Sequence, residues 1–199
     1  MSVPIRCDTI HYMNAAVNAL DWKIRDFDVK RDSEAVCRLD TSFTSDFLYE
    51  VRAGAEAIHL EMKRIHPPRE KRFQIELKAD AWQQGYVATV DGVVHGFVAM
   101  QFSAWNRRMS IWHFYVDLTY RGRGGGRQLM HAGYEWGRKA GAVTAWVETS
   151  NINVPGIKAY RRLGFDICGY DTTLYRGTPS EGEVAMFMAR RIDENEASS

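Results

Sequence analysis

A basic, glycine-rich turn between a predicted strand and a predicted helix is the part of this sequence best suited to bind a charged ligand. It reads RGRGGGR within the stretch YVDLTYRGRGGGRQLM. Glycines remove the side chains that would keep a ligand away from the backbone. The N–H groups that open a helix attract phosphate, and nearby arginines strengthen that attraction. The turn therefore predicts a phosphate-binding site.

Two familiar phosphate-binding motifs are excluded at this turn. The dinucleotide pattern G-x-G-x-x-G would need glycine where Arg127 stands, and G-x-x-x-x-G-K-[ST] has no match. A plain flexible loop is the alternative. Three successive glycines at a helix start cost roughly 1 kcal/mol each, so that alternative leaves them unexplained.

The surrounding hydrophobic pattern predicts the elements that hold this turn. Alternation and turn residues predict strands at 22–29, at 85–90 and 93–102 around an Asp91-Gly92 turn, at 109–118 and at 142–149. Two further strands are predicted within 47–65, separated by Ala53-Gly54, with Pro67-Pro68 forcing an extended turn after them. Two closing strands are predicted in 165–175 and 183–191.

Helical spacing predicts three helices. The first is short and capped by Ser33, the second spans 127–142, and the third spans 154–164 with Pro155 in its first turn. Strands come first, followed by strand, helix, strand, helix and two strands. This order predicts an α/β (α+β) fold with a mixed, mostly antiparallel sheet flanked by helices.

The turn resembles the R-x-x-G-x-G acetyl-CoA signature of the GNAT superfamily of N-acetyltransferases, which lies between that family's fourth strand and third helix. A second family element follows at the family's distance, with Asn153, then Tyr160 seven residues later, and Leu163-Gly164-Phe165 closing the helix. The resemblance covers about residues 22–191. It implies the GNAT acyl-CoA N-acyltransferase fold and acetyl-CoA as co-substrate.

Shorter stretches resemble one group within that superfamily, the streptothricin acetyltransferases. They are FTSD at 43–46, SAWNRR at 103–108, ETSN at 148–151, GYDTTLY at 169–175 and TPSEGE at 178–183. This resemblance implies acetylation of an amino group of the β-lysine moiety of streptothricin, which inactivates the antibiotic and confers resistance.

The implied reaction needs a base and an acid. An amine with a pKa near 10.4 is a free nucleophile in only about one molecule in 2,500 at neutral pH, and the departing thiolate must be protonated. The resemblance gives the acid position to Tyr160 and makes Glu148 the candidate base. The alternatives are a helix tyrosine packed on the sheet and a solvated strand glutamate.

The predicted 109–118 strand departs from the related enzymes, which carry acidic residues where this chain has Trp112 and His113. His113 has a suitable intrinsic pKa for a base. Strand alternation, however, turns it to the face opposite Trp112 and Phe114, which favours a structural role.

The resemblance also implies a set of cofactor-binding residues. A bulge would free backbone groups of the predicted 109–118 strand to contact the pantetheine arm. The basic turn would bind phosphate, and Asn153 would anchor the cofactor on its other side. Gly125 and Gly156 depart slightly from the usual aliphatic residue and alanine. The set comprises Phe114, Tyr115, Val116, Arg121, Gly122, Arg123, Gly124, Gly125, Gly126, Arg127, Asn153 and Tyr160.

A polycationic acceptor predicts carboxylates and aromatic walls in its cleft. The candidate residues are Asp46, Glu50, Asp171 and Glu183 as carboxylates, with Trp105 and Tyr175 as walls. Surface charges and core aromatics are the alternative for each, and the run 105–108 could form a basic hairpin tip.

Composition excludes several other classes of protein. The chain has 199 residues, 45% hydrophobic and 26% charged, with a formal net charge of +1, which gives no basic footprint for nucleic acid. Cys7, Cys37 and Cys168 form neither a disulfide framework nor a metal motif, and no apolar run could span a membrane. These features favour a cytoplasmic enzyme without a metal.

The chain is expected to divide into an N-terminal extension at 1–20, one catalytic domain at 21–191 and a solvated tail at 192–199. Two other functions stay open, acetylation of a different primary amine (a polyamine, a protein N-terminus or a lysine) and a catalytically inactive acyl-CoA sensor. Folds of this family often form homodimers, so a homodimer is also expected.

Overall fold

The computed structural model describes residues 20–78 and 80–192, and the predicted N-terminal extension and C-terminal tail lie almost wholly outside them. Seven strands form the main sheet in the order β1-β4-β5-β6-β7-β9-β8. Their bounds are β1 Lys23–Asp26, β4 Gln84–Val90, β5 Val93–Ser103, β6 Arg108–Val116, β7 Thr144–Ser150, β8 Asp166–Asp171 and β9 Ala185–Arg191. All neighbouring strands are antiparallel except β6 and β7. The predicted mixed, mostly antiparallel sheet is confirmed.

The parallel pair β6–β7 opens partway along its length. Its register runs from Arg108 opposite Thr144 to Ile111 opposite Val147, and no pairing follows among the described residues. On its other side, β6 pairs with β5 through a bulge at Trp112, because Ala99 faces His113 and Met100 faces Ile111. A bulge bends and twists its strand. The end of β6 therefore separates from β7 and leaves a wedge between them, as the resemblance to the GNAT family implied.

Two further strands form a separate ribbon, β2 Phe43–Ala53 and β3 Ile58–Lys71. Their turn lies at Gly54, whose N–H donates to the Ala57 carbonyl, close to the predicted position. The predicted end of the second strand was wrong, since β3 continues through Pro67-Pro68. The register between β2 and β3 shifts at the prolines, with Ser45 opposite Arg69 and Phe47 opposite Arg64. Proline has no backbone N–H to donate, and such an irregularity does not require one.

Three α-helices cover the main sheet, α1 Val29–Cys37, α2 Gly125–Ala140 and α3 Val154–Arg162. Buried side chains of α2 and α3 join one core, and buried Val36 of α1 joins a second core against Phe97 of β5. The sheet thus lies between helices on both faces.

The predicted cap of the first helix was wrong. Asp28, not Ser33, is the N-cap, and its carboxylate accepts from the N–H groups of Lys30 and Arg31. Ser33 lies inside the helix and donates to the Val29 carbonyl. Serine and aspartate are both favoured at the N-cap of a helix. The choice between Ser33 and Asp28 is decided by Asp32, which is buried and pairs with Arg25 of β1 at 2.6 Å. This pair joins the first turn of the helix to the sheet.

No helix within residues 20–78 and 80–192 is long and apolar enough to cross a membrane. In the same residues, no cluster of three or more His, Cys, Asp or Glu side chains is placed to hold a metal ion. Cys37 and Cys168 are exposed free thiols.

Candidate active site

A cavity of about 750 Å³ fills the wedge between β6 and β7. The start of α2 closes one end of the cavity, and α3 forms one side. At the other end, Tyr175 of the segment between β8 and β9 lines the cavity. Its lining includes most of the predicted cofactor positions and both predicted catalytic residues. These are Phe114, Tyr115, Val116, Arg121, Gly122, Gly124, Gly126, Arg127, Glu148, Asn153 and Tyr160.

The glycine-rich turn presents backbone donors to this cavity. Gly122 and Gly124 have φ values of +75° and +94°, which favour glycine, and Gly124 is the N-cap of α2 without a side-chain cap. The Gln128 N–H makes the first helical bond, to the Gly124 carbonyl. The N–H groups before it point outwards at the positive end of the helix dipole.

The arginines of the turn have different roles from one another. Arg121 donates to the backbone carbonyls of Val116, Ser42 and Asp40, at 2.9, 2.6 and 3.0 Å, so it joins the segment before β2 to the end of β6. Arg123 lies with its guanidinium 5.9 Å from the Tyr120 ring centroid, outside the cavity. Arg127 lines the cavity at the start of α2.

Gly125 faces the protein core instead of the cavity. A Cβ at this position would lie 2.7 Å from the ring of Trp22, and the Trp22 indole donates to the Arg123 carbonyl at 2.7 Å. The indole thus takes the space that an aliphatic side chain would fill. This explains the glycine that departs from the usual family residue.

Replacing Gly125 with alanine is expected to destabilise the fold by about 1–3 kcal/mol, because the buried indole must move. Urea unfolding monitored by tryptophan fluorescence measures this change. Gly54→Ala is the matched control, since its Cβ would meet nothing closer than 3.6 Å and its φ needs no glycine. Equal stability of the two variants would contradict the packing argument.

Asn153 caps α3 and at the same time faces the cavity. Its Oδ1 accepts from the Gly156 N–H at 3.0 Å, and its Nδ2 donates to Thr149 Oγ1 at 2.9 Å. A Cβ on residue 156 would lie 2.3 Å from Asn153 Nδ2. Gly156 is therefore required by this side-chain conformation, which accounts for its departure from the alanine common in the family.

Tyr160 projects from α3 into the wedge, opposite the free end of β6. Its ring lies 5.8 Å from Phe114 and 5.7 Å from Phe165, centroid to centroid, and only 8% of the residue is exposed. Burial, together with the nearby Tyr115 and Glu148, raises the pKa of its phenol. The hydroxyl therefore stays protonated at neutral pH.

Glu148 of β7 lies at the other side of the wedge. Tyr175 donates a hydrogen bond to its Oε1. Burial raises the pKa of this carboxyl above its usual value, while the Tyr175 hydrogen bond and the charge of Lys71 act in the opposite direction. Glu148 and Tyr160 thus place a carboxyl and a protonated phenol on the walls of one cavity.

The residues predicted to bind the substrate are not brought together. Tyr175 lines the cavity. Glu183 does not line it and is paired with Lys71 at 2.6 Å. Asp46 lines a smaller neighbouring cavity between β2 and α3. The other three lie outside both cavities.

Two of those three have polar partners elsewhere, and the third is exposed. Glu50 pairs with Arg52 and Lys63 on the ribbon. Asp171 accepts from the backbone N–H groups of Thr173 and Leu174. Trp105 is 88% exposed at the tip of the β5–β6 hairpin, the position that the alternative interpretation gave it.

His113 turns away from the cavity, as the strand alternation indicated. Its Nε2 lies 3.2 Å from the Glu76 carbonyl, and burial lowers its pKa. Trp112, the bulged residue, lines the cavity instead.

Several lining residues were missed by the sequence analysis. Phe43, Phe73 and Trp112 form aromatic walls near Glu148 together with Tyr115 and Tyr175. Phe43 opens the FTSD stretch, and Trp112 stands where related enzymes carry an acidic residue, so these two had a signal in the sequence. Lys71, which contacts this wall, stands in a charged run without a motif, so nothing in the local pattern singled it out.

Comparisons with known proteins agree with this geometry. The acetyltransferase (GNAT) family model matches residues 48–165. A streptothricin acetyltransferase from Streptomyces lavendulae is 39% identical over 168 residues, which are 79% of this chain and 89% of that protein.

Two solved structures are also similar. The crystal structure of nourseothricin acetyltransferase has a TM-score of 0.79 and 39% identity, covering 86% of this chain and 99% of that one. A Bacillus anthracis protein crystallised with acetyl coenzyme A has a TM-score of 0.73 and 25% identity, covering 85% and 99%.

Proposed function

Since the chain belongs to the GNAT family of acetyltransferases, we propose that it acetylates an amino group of the β-lysine moiety of streptothricin and so inactivates the antibiotic. The enzyme is an N-acetyltransferase with acetyl coenzyme A as its co-substrate. The observation that carries the proposal is the single cavity shared by Glu148, Tyr160 and the backbone donors of the glycine-rich turn.

The residues of the wedge fit acetyl coenzyme A. At Gly126 a Cβ would lie only 3.3 Å from the Phe114 ring, so a side chain would crowd the passage between the turn and β6. The opening N–H groups of α2 suit a pyrophosphate, and the end of β6 offers backbone groups at 114–116 that β7 does not pair. Asn153 would anchor the opposite side. When bound, acetyl coenzyme A supplies a thioester-activated acetyl group.

The two catalytic roles follow from the protonation states of the side chains. Glu148 accepts a proton at its carboxylate from the substrate ammonium, directly or through a water, because a charged amine is not a nucleophile. Tyr160 holds a proton on its phenol until it is needed at the departing sulfur. Its raised pKa keeps the phenol protonated at neutral pH, so the proton is present when the sulfur departs.

The acceptor end of the cavity has aromatic walls and one carboxylate, where the sequence had predicted several carboxylates. Aromatic faces bind ammonium groups through cation–π attraction. Phe73, Trp112 and Tyr175 line the cavity. A lysine-like amine fits such aromatic faces, which supports the β-lysine moiety as acceptor.

A thiol-release assay with acetyl coenzyme A tests the proposal, with streptothricin, spermidine and a lysine peptide compared in parallel. We expect saturable turnover with streptothricin and little with the other two. Turnover with spermidine or the peptide alone would show that streptothricin is not the substrate and that another primary amine is. Bound acetyl coenzyme A without release from any amine would favour the inactive sensor.

We place the enzyme in the cytoplasm, since the exposed free thiols of Cys37 and Cys168 suit a reducing compartment. A homodimer is the expected assembly, and light scattering of the purified chain checks it.

A further inference from the structure

The segment 172–184 between β8 and β9 contributes Tyr175 to the cavity beside Glu148, and Lys71 joins this segment to the ribbon. Lys71, the last residue of β3, donates to Ser180 Oγ at 2.8 Å and to Glu183 Oε1 and Oε2 at 2.8 and 2.6 Å. The side chains of Lys71 and Glu183 are only 21% and 10% exposed. Removing one partner of such a shielded ion pair costs much more stability than removing one partner of a surface pair, because the remaining charge is left unpaired away from water.

The same segment carries Tyr175, the residue that contacts Glu148. Its phenol donates to Glu148 Oε1, and its ring centroid lies 5.9 Å from Lys71 Nζ. Lys71 therefore contacts the segment at three residues, through its hydrogen bond to Ser180, its ion pair with Glu183 and the ring of Tyr175.

We propose that Lys71 and Tyr175 are positioning residues for Glu148: Lys71 seats the segment 172–184 on the ribbon, and Tyr175 then fixes the carboxylate in one orientation. The proposal rests on the proposed function, because it takes Glu148 as the base. With Oε1 held by Tyr175, Oε2 is the oxygen that remains for the proton of the substrate. A carboxylate held in one orientation is also ready to react, whereas a freely rotating side chain is in the productive orientation for only part of the time.

The charges around Glu148 set the direction of the pH effect. Tyr175 of the segment, Tyr115 of β6 and Tyr160 of α3 face it as neutral phenols, while Lys71 and Glu183 contribute opposite charges. The Tyr175 hydrogen bond and the Lys71 charge both lower the pKa of Glu148, whereas burial and Glu183 raise it. Loss of either positioning residue therefore raises this pKa and leaves less carboxylate at neutral pH.

The experiment compares the pH dependence of kcat in Tyr175→Phe, Lys71→Met and the wild type at saturating streptothricin. We expect the acid limb to move upward by about one pH unit in both variants, which is about a tenfold lower kcat on that limb. At high pH kcat should return towards the wild-type value, and the KM for acetyl coenzyme A should stay unchanged. Lys71→Arg should restore most of the wild-type profile because it keeps the charge.

Lys63→Met is the matched control. Lys63 lies on the same strand and pairs with Glu50 at 2.6 Å, and among the described residues its ion pair is with the ribbon and not with the segment. Its pH profile should match the wild type. Equal shifts in Lys63→Met and Lys71→Met would overturn the proposal, because the effect would then be a general loss of ribbon stability.

Tyr175→Phe keeps the outcome decisive if Lys71→Met does not fold. It retains the ring beside Lys71 and removes only the hydroxyl that donates to Glu148. A wild-type profile in Tyr175→Phe would overturn the positioning roles. A wild-type profile in Glu148→Gln would instead refute the base role in the proposed function, so the two failures are distinguishable.

Discussion

Replacing Tyr160 with phenylalanine is expected to lower kcat by roughly 10²–10⁴-fold, the usual contribution of a general acid. The phenyl ring can keep its contacts with Phe114 and Phe165, so the wedge should retain its shape. Only the hydroxyl proton is lost. The KM for acetyl coenzyme A should therefore change little, and steady-state kinetics with a thiol-release readout separate the two parameters.

Tyr134→Phe is a matched control for this substitution. Tyr134 is also a buried helix tyrosine that packs on Phe165, with a 6.4 Å centroid distance, but it does not line the cavity. Its variant should keep wild-type kcat. A kcat within threefold of wild type in Tyr160→Phe would assign Tyr160 to packing alone and leave the proton donor to another group.

Replacing Glu148 with glutamine is expected to lower kcat by about 10²–10³-fold and to remove the acid limb of its pH profile. Glutamine has nearly the same shape and can still accept the Tyr175 hydrogen bond. In the wild type the raised pKa means that the basic carboxylate forms only as the pH rises through that value. Activity should thus fall as pH decreases, and this limb should be absent in the variant.

The same substitution has the opposite expected effect on stability. Because the pKa of Glu148 is raised in the folded protein, the fold holds this proton more tightly than the unfolded chain does, and stability falls as pH rises between the two pKa values. Glutamine removes that cost, so Glu148→Gln should melt at the same or a higher temperature in mildly alkaline buffer.

Glu135→Gln is the comparison for both measurements, because Glu135 lies on α2 outside the cavity and pairs with Arg138. Its variant should keep the wild-type kcat and pH profile. A Glu148→Gln enzyme with a lower melting temperature and unchanged kcat would identify Glu148 as a structural carboxylate.

The glycine-rich turn shows how far local sequence can predict a site. Its backbone geometry follows from residues adjacent in the chain, since glycine allows positive φ and a helix start exposes N–H groups wherever it occurs. The placement of Asn153 and Tyr160 was implied by the resemblance to the GNAT family, and both residues line the cavity.

The correction at the first helix came from outside the local sequence. Ser33 and Asp28 both had capping chemistry, and the buried pair between Asp32 and Arg25 decided between them. Arg121 lines the cavity, where a phosphate-binding role was predicted for it, and its guanidinium also donates to carbonyls at positions 40, 42 and 116. The partners of Asp32 and of Arg121 both lie outside the local motif.

The sequence by itself thus determined the family, through its motifs, and the order of strands and helices, and it predicted the backbone of a phosphate-binding turn. The order of the elements depends on periodicity, and the turn depends on backbone geometry within a short stretch of chain. Only the tertiary structure decided which side chains surround Glu148. Lys71 meets Glu183 across 112 residues and Tyr175 reaches Glu148 across 27, and contacts at such separations arise from how the ribbon and the closing segment pack on the sheet.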